Sequence, residues 1–103
     1  MFVSGQLPID AASNKIVSSS VAEQTRQAIE NLQAVLSVAG AGLADVVRCS
    51  VFLTDIRDFA AMNEIYAEFF GEAKPARATV QAVLPSSEAR VEIDCIAYAP
   101  RNA

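Results

Sequence analysis

The chain has 103 residues, 52% of them hydrophobic, with 8 Lys+Arg against 12 Asp+Glu for a formal charge of −4. That length fits one domain, and an acidic chain with no cluster of basic residues lacks the electrostatic footprint of a nucleic-acid binder. Histidine is absent and the only cysteines are Cys49 and Cys95, which excludes Ser-His-Asp and Cys-His catalysis and argues against a secreted disulfide scaffold or a zinc site.

The chain opens in an extended apolar stretch, Phe2-Val3-Ser4-Gly5-Gln6, and turns at Leu7-Pro8. Residues 9–18 read as a polar loop with Asn14 as its turn residue. Ser20-x-x-Glu23 reads as a capping box, with hydroxyl and carboxylate each satisfying a backbone N–H at a helix start. Val21, Thr25, Ala28, Ile29, Leu32, Val35, Leu36 and Ala39 then recur at spacings of three and four. Gln24, Arg26, Gln27, Glu30 and Asn31 fall mostly on the other side, so this is an amphipathic helix ended by Gly40.

Val46 to Leu53 reads as a strand, with Val47, Cys49, Val51 and Leu53 on one face and Arg48, Ser50 and Phe52 on the other. Asp55 or Asp58 caps a second helix whose apolar side carries Phe59, Met62, Ile65, Tyr66 and Phe69, with Gly71 as its stop. Residues 76–84 and 90–98 read as two more strands, joined as an antiparallel hairpin through Pro85-Ser86-Ser87-Glu88-Ala89. The order is β, helix, β, helix, β, β. Two amphipathic helices cover one face of such a sheet, and both cysteines fall on the helix-facing parity as small core residues.

The other parity collects Arg77, Thr79, Gln81, Arg90, Glu92 and Asp94 together with Phe52, Ile96 and Tyr98. That mixture is too charged for a monomer core and too aromatic for a solvated face, and it reads as an assembly surface with polar pockets in it. A domain of this size buries a limited share of its surface, so association with identical copies is a natural way to complete the core.

Four segments resemble, in order and at suitable separations, the signature of the Rid family of small trimeric deaminases, also called YjgF/YER057c/UK114. They are Ser4-Gly5-Gln6-Leu7-Pro8, Asn63-x-x-Tyr66-x-x-Phe69-Phe70, Pro75-Ala76-Arg77 and Arg90-Val91-Glu92-Ile93-Asp94. The resemblance spans essentially the whole chain, 1–103, as a single Rid-like domain. It implies an α+β, chorismate-mutase-like fold: a mixed sheet with two helices on one face, forming a homotrimer around a central barrel with a pocket at each subunit interface.

It also implies roles. Arg77 falls on the arginine that binds the substrate carboxylate, a task suited to a planar guanidinium that can form two parallel hydrogen bonds. Glu92 falls on the glutamate that orients or activates water, and strand parity places it on the same face as Arg77, on a neighbouring strand. Ser4 and Gly5 fall in the pocket wall, the backbone at Thr79 at the imino end of the substrate, and Asn63 at the pocket rim. Many relatives carry cysteine where Thr79 stands. Most also carry an additional strand and a pocket-closing tyrosine ahead of the segment matched by Phe2-Val3-Ser4. Neither Tyr66 nor Tyr98 falls at that place, which implies an open pocket or a shortened chain, and an unprotected sheet edge.

The expected activity is hydrolysis of reactive 2-imino acids to 2-oxo acids and ammonia by a cofactor-independent cytoplasmic enzyme. Its expected partners are copies of itself and a small imino or oxo acid, with neither nucleic acid nor membrane. The alternative is a non-catalytic trimer that binds a small carboxylate metabolite. Read without the resemblance, Arg77 could be a structural surface arginine, and Arg90, Glu92 and Asp94 an interface ion-pair network.

Overall fold

The computed structural model describes residues 1–99. Ser20 leaves the chain extended, and its hydroxyl accepts the Glu23 N–H at 3.3 Å, starting helix α1 over Val21–Val38. The reciprocal half of the expected capping box is absent: the Ser20 N–H donates instead to the Ser18 hydroxyl at 3.1 Å. At the other end Gly40 takes φ 73°, a left-handed conformation in which glycine has no side-chain clash. The Gly40 and Ala41 N–H groups close back on the Ser37 and Leu36 carbonyls, both at 3.0 Å, which is the Schellman stop.

The buried stripe of α1 is Val21, Thr25, Ala28, Ile29, Leu32 and Leu36, with one residue that the pattern had placed outside. Gln24 is fully buried. Its Nε2 donates to the Ser18 and Glu88 carbonyls at 2.6 and 3.0 Å, and its Oε1 accepts the Arg90 N–H at 2.7 Å. A buried amide with its hydrogen bonds satisfied is compatible with a core, and here it joins two loops to the helix start. Asn31 does similar work one side over, donating to the Leu7 and Ile9 carbonyls at 3.0 Å each. That fixes the segment after strand β1 (Phe2–Gln6), where β2 (Ile9–Asp10) and β3 (Lys15–Ile16) form a short hairpin. Asn14, at φ 58°, supplies its turn.

Strand β4 spans Val46–Leu53 as the sequence predicts. Its register against β6 (Val91–Ala97) shifts between Val46 and Arg48, so Val46 is buried and Val47 is exposed, the reverse of simple alternation. After β4, Asp55 caps a single 3-10 turn at Ile56–Asp58, which runs into helix α2 (Phe59–Phe70). Met62, Tyr66 and Phe70 are the buried residues of α2, while Ile65 is half-buried and Phe59 is exposed. Strand β5 follows at Ala76–Gln81.

The four long strands form one sheet in the order β1-β6-β4-β5, with β4 and β5 parallel and β6 antiparallel to both neighbours. The expected antiparallel hairpin between the last two strands is therefore wrong, because β4 lies between them. Alternation marks strands but does not name their neighbours. Helix α2 is a crossover, and a strand–helix–strand unit places its second strand parallel beside the first. The segment 82–90 then carries the chain past the end of β4, where the Ala82 N–H bonds the Leu53 carbonyl and the Thr54 N–H bonds the Arg90 carbonyl.

Both helices lie on one face, with α1 over β6 and β1 and beside α2. Val3, Cys49, Val51, Leu53, Val91, Ile93 and Cys95 meet them in the core. The opposite face keeps Phe2 and Val80 exposed, at 83% and 47%, beside half-buried Phe52 and Ile96. Strands β1 and β5 are its two edges. Among the described residues no helix is long and apolar enough to cross a membrane, and no group of three or more His, Cys, Asp or Glu is placed to hold a metal.

Candidate active site

Register decides where the site residues point. Arg77 on β5 stands opposite Cys49 on β4, and Thr79 stands opposite Val51. Cys49 and Val51 are buried against the helices, so the polar parity of β5 faces the helix side and Ala76, Ala78 and Val80 face away. Glu92 on β6 stands opposite Phe52, on the helix-free side. Arg77 and Glu92 thus lie on opposite faces of the sheet, two strands apart, and the expectation of one shared face on neighbouring strands is overturned. Alternation reveals which residues of a strand share a face. It does not reveal which face that is when an edge strand turns its polar side toward a helix that offers hydrogen-bonding partners.

Helix α2 offers them. Asn63 and Tyr66 lie three residues apart, on one side of the helix, and both meet Arg77. Arg77 NH1 donates to Asn63 Oδ1 at 2.6 Å, and the guanidinium carbon sits 4.6 Å from the centre of the Tyr66 ring and 5.3 Å from that of Phe59. Such stacking orients a guanidinium while leaving its edges free to donate. Beside it opens a cleft of about 400 Å³ lined by Asn63, Tyr66, Ala67, Phe70, Gly71, Lys74, Pro75 and Arg77. Asn63 and Arg77 are therefore brought together as the motifs implied. Lys74 enters the same cleft with no motif to announce it.

Thr79 shares the face of Arg77, and its hydroxyl is buried without a hydrogen-bond partner among the described residues, as is that of Tyr66. Burial, with Cys49 beside it, pushes the Tyr66 phenol well above its usual range, so it is a neutral hydroxyl. Burial likewise raises Cys49 and pushes Cys95 up to about 11. The two thiols face each other across β4 and β6 in the core, free and protonated at neutral pH, as expected of packing residues.

The remaining site residues gather elsewhere. The register between β1 and β6 breaks between Val3 and Gln6, putting Ser4 and Gly5 in an irregular, exposed segment of an edge strand. The Glu92 side chain lies directly over Gly5: a methyl group there would overlap Oε2 and stand 2.8 Å from the carboxyl carbon. Gly5 meets Glu92, with Ser4 beside it in the chain, and Arg77 meets Asn63, with Thr79 on the same face of β5. Arg90 belongs to neither, because it precedes β6 and grips Asp58 with three hydrogen bonds of 2.8–3.2 Å, tying the start of α2 to the last strand. An ion-pair network of Arg90 with Glu92 and Asp94 is thus not formed within the chain.

The chain as a whole is similar to known proteins. The family model described as Endoribonuclease L-PSP matches residues 1–99. The chain is 47% identical over 98 residues to the RutC family protein PH0854 of Pyrococcus horikoshii, covering 95% of this chain and 78% of that one. It is 40% identical over 97 residues to a 2-iminobutanoate/2-iminopropanoate deaminase of Bos taurus, covering 94% and 71%. Among solved structures, E. coli TdcF with bound serine superposes with a TM-score of 0.85 at 38% identity, over 93% of this chain and 77% of that one. The YjgF gene product of E. coli gives 0.85 at 36% identity, over 93% and 77%.

Proposed function

Since the chain belongs to the Endoribonuclease L-PSP family, also known as YjgF/UK114 or Rid, we propose that it hydrolyses 2-imino acids to 2-oxo acids and ammonia at a site shared between two subunits of a homotrimer. The observation that carries this reading is the division of the site residues into two clusters on opposite faces. The Arg77 cleft offers carboxylate binding without a carboxylate side chain in its lining, and the Gly5–Glu92 cluster offers a carboxylate without a cation. Across the sheet the two lie two strand spacings apart, about 10 Å, and along it three residues, another 10 Å or so. No single small substrate bridges that through the core. A neighbouring subunit presenting its β1–β6 edge to the Arg77 cleft joins the two halves. The helix-free face, which carries Phe2, Phe52, Val80 and Ile96 beside polar residues such as Glu92, supplies surface for such an assembly.

In the joined site, Arg77 holds the substrate carboxylate, with Asn63 and the two rings fixing its plane. Strand β5 is an edge, so alternate backbone N–H groups near Thr79 point away from β4 and can bond the imine nitrogen. The partner subunit's glutamate at this position takes a proton from water as the oxygen attacks the imine carbon, forming a carbinolamine. That proton passes to the nitrogen to complete the carbinolamine; the carboxylate then takes the hydroxyl proton and hands it to the amino nitrogen, so the C=O bond forms as the C–N bond breaks and ammonia leaves. The imine is already electrophilic, so orientation and charge placement supply what catalysis is needed, and no cofactor enters.

The test is decay of a 2-imino acid generated by a dehydratase and followed by semicarbazone trapping. Added protein is expected to remove the trappable imine, and decay no faster than in a blank would overturn the deaminase reading. The reading would then pass to the binding protein, which the completeness of the carboxylate cleft on one chain favours. The family's description as an endoribonuclease finds little support in a chain of charge −4 without histidine.

The contact between Gly5 and Glu92 gives a second prediction. The clash that Gly5→Ala creates falls on the far end of a flexible side chain, so the fold should tolerate it, with the melting temperature within about 3 °C of wild type. The displaced carboxylate should cost about tenfold in kcat. A Gly5→Ala variant with wild-type kcat would remove Glu92 from the mechanism.

A further inference from the structure

Lys74 lines the Arg77 cleft, at a backbone position that does not itself call for lysine. It lies between α2 and β5, its N–H bonded to the Phe70 carbonyl at 3.0 Å, with its backbone at φ 44°. That left-handed conformation is one that glycine or asparagine adopts at least cost, and a lysine there is unusual. Among the described residues Lys74 makes no ion pair; nor do Lys15, Arg48 and Arg77, while Arg26, Arg57 and Arg90 each have a carboxylate partner, so both cations of this cleft are free of one. The cleft it lines holds two cations and no acidic residue, in a chain where acids outnumber bases 12 to 8. Its remaining walls, Ala67, Phe70, Gly71 and Pro75, are apolar and carry no side-chain donor for a polar group.

The geometry points to Lys74 as a second anion-recognising residue, and to imino or oxo acids with an acidic side chain as the preferred substrate class of this site. Arg77, locked by Asn63 and the Tyr66 and Phe59 rings, takes the carboxylate next to the reacting carbon. Lys74 is a point charge on a flexible stem, suited to a distal carboxylate whose position varies with chain length. The apolar wall between them accommodates the intervening methylenes. A volume of about 400 Å³ admits such a molecule. This assignment rests on the reading that Arg77 binds a carboxylate in this cleft, but not on turnover.

Stable 2-oxo acids make the test independent of catalysis. Calorimetric titration of the full chain with 2-oxoglutarate and with 2-oxopentanoate compares a distal carboxylate with a methyl group on the same carbon skeleton. Wild type should bind 2-oxoglutarate about fivefold tighter, the scale of one partly exposed ion pair. Lys74→Met should bring the ratio of the two affinities to about one, and Lys74→Arg should keep most of it. A ratio near one in wild type, or one that Lys74→Met leaves unchanged, overturns the assignment. Failure of wild type to bind either acid overturns it together with the carboxylate cleft. Arg77→Ala separates the two ideas: if that variant still binds both acids with the wild-type ratio, Lys74 recognises its anion but the role given to Arg77 is lost.

Discussion

Arg77→Ala should lower kcat/KM for imine hydrolysis by about a hundredfold or more while leaving the fold intact. The loss follows from what one guanidinium does in the cleft. Two charge-assisted hydrogen bonds to a carboxylate, formed beside the Tyr66 and Phe59 rings, hold the imine carbon in place for attack. Removing such a group from a reaction centre costs about 3–4 kcal/mol, with each 1.4 kcal/mol a factor of ten. Stability should fall by only about 1 kcal/mol, because Arg77 is half-buried on an edge strand and gives up one hydrogen bond and two cation–π contacts. Arg77→Lys sharpens the point. It keeps the charge, but a lysine cannot present a planar fork while also satisfying Asn63 Oδ1, so most of the loss should remain. Parallel imine-decay assays on the three proteins decide this, and full activity in Arg77→Ala would remove the residue from the mechanism.

How far the sequence carried can be seen by comparing β4 with β5. The limits of β4 were legible because its β-branched run is flanked by turn residues. Its core parity was legible too, apart from the bulge at Val46 and Val47, which leaves no mark in alternation. For β5 the alternation was just as visible, yet both its neighbour and its orientation were misread. Sheet order depends on the crossover through α2, and orientation depends on what α2 offers to Arg77 and on the Ile56 N–H of the preceding 3-10 turn, which bonds Gln81 Oε1; these are tertiary facts. The motif residues fared better than the geometry built on them. Gly5 meets Glu92, and Asn63 meets Arg77, across long stretches of chain that no local pattern connects. Polarity alone puts Gln24 toward solvent, and only its three loop partners show why it is buried. For Lys74 the available signal was weak: a cation three residues before Arg77, next to Pro75.

The misread face leads to the strongest test of the shared site. Arg77→Ala and Glu92→Gln should each be nearly inactive alone, yet regain activity when their chains are mixed in one oligomer. In the proposed trimer each site takes its arginine from one chain and its glutamate from the next. A Glu92→Gln chain still presents Arg77, and an Arg77→Ala chain still presents Glu92. Every mixed trimer, whichever chain is in excess, has one interface in three that pairs the two intact halves, so purified mixed trimers should regain about a third of wild-type activity. Co-expression with two different tags and sequential purification isolates mixed oligomers, and each variant assembled alone serves as the control. If both residues served a site within one chain, no mixture could recover activity, because every chain would carry one lesion. Verified mixed oligomers without recovery would therefore eliminate the shared site. Recovery near a third would mean that the opposite faces of one sheet are the two halves of a single catalytic centre.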